Sequence, residues 1–128
     1  MDAPQNSQRS INVEKHQELR NRTKAFALRV IRMSDALSKT RSGNVIGNQI
    51  LRSATGMAAN YRAAGRSRSK AEFIAKIGVV IEEADETVFW LEMLRDSAIV
   101  KPTKLDHMLD EANQLLAIFA ASRRTAKS

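Results

Sequence analysis

Two groups of side chains in this chain have the types and spacing that chemistry uses. The first is the acidic run Glu82, Glu83, Asp85 and Glu86. Carboxylates in a helical bundle hold paired metal ions when a Glu-x-x-His from each of two helices meets a Glu from each of two others. The sequence has only two histidines, and neither completes that motif: Lys104 stands three residues before His107 and Val13 three before His16. A lone acid or base needs a cleft and a shifted pKa, which the sequence does not indicate. The run therefore reads as a surface that pairs with arginines of a neighbouring helix or subunit. No catalytic residue, metal site, cofactor or small-molecule substrate is expected.

The second group is the basic turn Arg62, Arg66, Arg68 and Lys70, four cations between the end of one helix and the start of the next. Free amides at a helix N-terminus add partial positive charge, so an anion is the natural ligand. The plainer reading is a solvated turn whose cations match a helix dipole. No Gly-rich phosphate loop follows a strand, no nucleophile sits in a recognisable motif, and no strand-borne aromatic platform for RNA is present.

The elements that position these groups are helices. Two Pro and five Gly in 128 residues leave few turns, and 43% hydrophobic content supports one modest core. With no cysteine, disulfides and thiolate metal sites are excluded. No secretion signal or run of ~18 apolar residues appears, so a cytoplasmic protein with no membrane partner is expected.

Four helical periods are legible, at about 13–39, 45–64, 70–97 and 102–123, between a disordered tail at 1–12 and a short tail at 125–128. Leu19, Thr23, Phe26, Val30, Met33 and Leu37 share one face of the first, with Lys15, Arg22 and Arg29 at heptad spacing on another. Asn44 is the expected cap of the second, which buries Ile46, Ile50, Ala54, Met57 or Ala58, and Tyr61, and ends at Gly65 as a C′ residue. Ser69 to Glu72 fits a capping box opening the third. Its expected core stripe is Phe73, Ile77, Ile81, Ala84, Val88, Leu91 and Leu94. Phe89 and Trp90 diverge by about 100° and cannot both enter one core, so one is assigned to a subunit interface. Pro102 suits the first position of the fourth helix. Short loops between four helices imply an antiparallel up-down-up-down bundle.

Charge is divided along the chain. Residues 1–70 hold 14 Lys/Arg against 4 Asp/Glu, or +10, and residues 71–128 hold 7 against 10, or −3. A basic first half attracts nucleic acid through phosphate neutralisation; alternatively it faces the acidic helix of another subunit.

The run Ile50-Leu51-Arg52-Ser53-Ala54, Ala59-Asn60-Tyr61-Arg62-Ala63-Ala64, Ser69-Lys70-Ala71-Glu72-Phe73 and Glu82-Glu83-Ala84-Asp85-Glu86 resembles bacterial four-helix bundle proteins encoded in intervening sequences of the large-subunit ribosomal RNA gene. The resemblance covers about residues 15 to 124. It implies a ring-shaped homopentamer without enzymatic activity. The chain is also similar to the accessory bundle proteins of diversity-generating retroelements, which are thought to bind nucleic acid and a reverse transcriptase. Many members carry Asn-Ile-Ala-Glu-Gly after the second helix. Here Asn60 to Ala64 keep the Asn and lack the Glu and Gly, so no role of that Glu carries over.

The expectation is thus an all-α, non-catalytic homo-oligomer with Arg52, Arg62, Arg66, Arg68 and Lys70 as RNA contacts. Glu82, Glu83, Glu86, Phe89 and Trp90 are assigned to the oligomer interface. The alternatives are a scaffold for a protein partner and a carboxylate-bridged metal enzyme.

Overall fold

The computed structural model describes the backbone of residues 3–128 and side chains from residue 13 onward. Among these residues there are four helices and no strand: α1 (Ala3–Asp35), α2 (Arg41–Ala64), α3 (Lys70–Asp96) and α4 (Pro102–Lys127). Of the expected N-terminal tail, residues 1 and 2 lie outside the described residues, and the backbone is helical from Ala3.

Helix ends follow local chemistry. Thr40, not Asn44, caps α2: its extended backbone lets the hydroxyl accept from the Gly43 amide at 3.0 Å. The turn is tight enough that a Cβ on residue 43 would lie 2.5 Å from the Ser38 carbonyl oxygen, which selects glycine. Gly65 closes α2 in the right-handed conformation, φ −65°, rather than the left-handed one expected of a C′ glycine. The chain instead tightens, with the Arg66 and Ser67 amides donating to the Ala63 and Ala64 carbonyls. Ser69 caps α3, accepting from the Glu72 amide at 3.0 Å, while the Glu72 carboxylate takes the Arg68 amide, not that of Ser69. Hydrogen bonding to Lys76, and then to that amide, holds Glu72 below the usual carboxylate range. Ala98 takes up the left-handed conformation that ends α3, at φ 59°.

The core contains Phe26 and Val30 of α1, Ile50, Met57 and Tyr61 of α2, and Leu105, Leu115 and Phe119 of α4, all nearly inaccessible. The buried stripe of α3 is Ile77, Val80, Ala84, Thr87, Leu91 and Leu94. Val80 and Thr87 thus replace the expected Ile81 and Val88, which are half-buried alongside Phe73. Thr87 tolerates the core because its hydroxyl meets the Glu83 carbonyl at 2.8 Å and the Ser53 hydroxyl of α2 at 2.9 Å. α2 packs on α1 and α3, and α3 on α4; α1 and α4 touch only slightly, and the backbones of the diagonal pairs α1–α3 and α2–α4 do not approach among the described residues.

Tyr61 is 2% exposed, and burial pushes its phenol up to about 12. The unfolded phenol ionises near ~10. The neutral form therefore favours folding by on the order of 2–3 kcal/mol, fully present below pH ~10 and lost as pH rises through about 12. Because Tyr61 is the only tyrosine, near-ultraviolet tyrosinate absorbance reports it alone. The expected midpoint is about 12 in the folded protein and about 10 in denaturant; equal midpoints would contradict this burial effect.

Candidate nucleic-acid interface

Arg20 and Lys24 stand one turn apart on α1, and Arg62 and Arg66 are likewise four residues apart at the end of α2. All four line one groove of about 520 Å³, with Asn21 beside them and Ala58 and Ala59 also in its wall. The two alanines fill little of the space, so the long cations border a trough rather than a filled surface. Among the described residues no carboxylate lines it, and α2 contributes none anywhere along its length. Unopposed positive charge between two helices favours a polyanion over a single small ion.

The predicted residues divide. Arg62 and Arg66 line the groove. Arg68 and Lys70 are exposed at the start of α3, where Lys70 Nζ donates to the Ser128 carbonyl oxygen at 3.3 Å. Arg52 lies elsewhere on α2, donating to Glu86 at 2.7 Å with Glu83 at 3.7 Å. The hydrogen bond to Glu86 raises its pKa above the ordinary arginine value, and its charge is already answered within the chain.

Arg20, Asn21 and Lys24 are additions that the sequence reading lacks. Their signal was a pair of cations at i and i+4, matched by the same spacing at Arg62 and Arg66. The heptad cations of α1 instead face α4. Arg22 makes a two-pronged pair with Glu111, at 2.7 and 3.0 Å, and also reaches Gln114. Arg29 meets His107 Nδ1 at 2.9 Å. The Arg22 hydrogen bond holds the Glu111 carboxyl below its usual range.

In the acidic run, Glu82, Asp85 and Glu86 are exposed and Glu83 is half-buried. The Glu83 carboxylate lies over Gly56, where an added Cβ would come within 3.3 Å of it, and its Oε2 accepts no hydrogen bond. Burial first, then the charge of Glu86, pushes its pKa up against the pull of Arg52. No group of three or more His, Cys, Asp or Glu side chains gathers into a metal-binding cluster among the described residues. Phe89 is half-exposed; Trp90 touches it edge-to-face at 4.9 Å and packs partly buried against the core. Among the described residues, no helix is long and apolar enough to cross a membrane.

Four helices around one core, with a basic groove between two of them, define an all-α four-helix protein. The chain belongs to the 23S rRNA-intervening sequence protein family, whose profile matches residues 15–121. A solved structure from Bacteroides thetaiotaomicron, a protein with unknown function from the S23 ribosomal protein family, is 26% identical. The match covers 86% of this chain and 98% of that one, with a TM-score of 0.79. No curated protein matches. None of these comparisons indicates a catalytic family.

Proposed function

We propose that this protein is a non-catalytic, cytoplasmic homo-oligomer, a pentameric ring of antiparallel up-down-up-down bundles, that binds RNA through the groove between α1 and α2. The antiparallel course is supported by side-chain pairs that run in opposite order on neighbouring helices. Arg22 and Arg29 of α1 meet Glu111 and His107 of α4, and Arg52 and Gly56 of α2 meet Glu86 and Glu83 of α3. Assembly is supported by the outer face of α3, where Val79, Phe89 and Met93 are exposed along one stripe with Glu82 and Glu86 between them. The ring form is what family resemblance implies.

The observation that carries the RNA reading is the convergence of Arg20, Lys24, Arg62 and Arg66 on a groove without a carboxylate. Arg68 and Lys70 extend the basic surface beyond it, whereas Arg52 holds the α2–α3 seam together. Neutralising about four phosphates per subunit gives a plot of log affinity against log salt with a slope of about −3. Mixed-sequence RNA titrated over a range of salt tests this. Undetectable binding at low salt would defeat the reading and leave the alternative, a scaffold whose α3 face meets a protein.

A further inference from the structure

A second opening lies on the other side of α1. There α1 and α4 diverge and leave a cleft of about 600 Å³ between the first half of α1 and the end of α4. Phe73 and the exposed His16 stand edge-to-face with ring centres 6.1 Å apart, and beneath them Tyr61 is backed by Phe119 at 5.2 Å. On the α4 side Ile118 gives the cleft an apolar wall, and the small side chains of Ala121, Ser122 and Ala126 leave it open. The accessible rings of His16 and Phe73, beside the apolar side chains of Leu19 and Ile118, form an opening that accepts a flat ring.

The polar groups suit the same occupant. The Tyr61 hydroxyl lies 3.0 Å from His16 Nδ1. A buried phenol needs a hydrogen-bond partner, and Nδ1 is the partner in reach. With Nδ1 engaged by that hydroxyl, Nε2 is the ring nitrogen left to meet another group. Lys15 borders the opening and makes no ion pair among the described residues. Glu18 is also on the rim, and Arg22 there is already held by Glu111.

Cleft and groove are neighbours. His16 is one turn from Arg20 along α1, and Tyr61 immediately precedes Arg62 on α2. A strand whose phosphates follow the groove passes within reach of the cleft.

We propose that this cleft takes a single unstacked nucleobase, making the protein a reader of single-stranded rather than duplex nucleic acid. Linking the base to a strand in the groove rests on the RNA reading above; the base site itself does not. Sequence-tolerant stacking on aromatic faces is the usual way a protein holds an unpaired base.

The two histidines provide the assay. Adenosine 5′-monophosphate added to the intact protein is expected to shift the His16 ring resonances and leave those of His107 in place, while inorganic phosphate at equal concentration leaves both unchanged. Ala121→Trp, at an exposed position, fills the cleft. It is expected to weaken single-stranded RNA about ten-fold, with the salt slope and duplex affinity unaltered. If the nucleotide leaves His16 unmoved, or phosphate alone moves it equally, the base site is overturned whatever RNA does. An unmoved His16 together with salt-dependent RNA binding would leave the groove reading standing. A nucleotide-specific shift without any RNA binding would keep the base site and remove the groove.

Discussion

Reversing two groove charges, Arg20→Glu with Arg66→Glu, is expected to weaken RNA binding on the order of 100-fold at low salt and reduce the salt slope by about 2. The argument rests on where each cation's field goes. Arg20 and Arg66 are exposed beside a trough without carboxylates, so their positive potential reaches solvent and any phosphate there. Arg52 is the informative control. It is exposed and equally charged, but Glu86 accepts from it at 2.7 Å. Arg52→Glu is therefore expected to change RNA affinity less than about three-fold, while placing a third carboxylate beside Glu83 and Glu86 and loosening the α2–α3 contact. Filter binding or fluorescence anisotropy with each variant, alongside a thermal melt, separates the two effects. Equal losses from Arg52→Glu and the double variant would mean that overall charge, not the groove, attracts RNA.

What could be read from the chain follows the range of the interaction that decides it. Helix number and the Ser69 cap depend on residues within a few positions, and the pattern of Leu, Ile and Phe at three- and four-residue steps marks the inward faces. The finer choices depend on partners far along the chain. Thr40 outcompetes Asn44 as a cap because Gly43 permits the close turn over Ser38, a steric fact that no preference scale contains. Thr87 displaces Val88 from the core because Ser53, 34 positions away, supplies a hydroxyl for it to meet. The groove shows the same limit. Lys15, Arg22 and Arg29 make a more regular heptad than Arg20 and Lys24, yet Glu111 and His107 on α4 engage Arg22 and Arg29. A cation's availability is set by its neighbour across the helix interface, and charge counts along one helix do not contain that information.

The largest expected stability effect is at Phe119. Its side chain is fully buried, with its ring 5.2 Å from that of Tyr61. Phe119→Ala removes the ring and leaves a cavity beneath the α1–α4 cleft, at a cost of about 3–5 kcal/mol. That is a large share of the ~5–15 kcal/mol by which a domain is typically stable. Phe89 is the matched contrast, since its ring is half-exposed and touches Trp90 rather than the core interior. Phe89→Ala is expected to change the stability of an isolated subunit by no more than about 0.5–1 kcal/mol. Under the proposed assembly its effect falls on association, which stabilises by mass action. Urea melts at high and low protein concentration therefore distinguish the two. Phe119→Ala shifts the midpoint at either concentration, whereas Phe89→Ala shifts it only where wild type is assembled and also lowers the sedimentation coefficient. If Phe89→Ala sediments as wild type and melts as wild type at both concentrations, Phe89 contributes nothing to assembly, and the proposed α3 interface loses its most exposed aromatic contact.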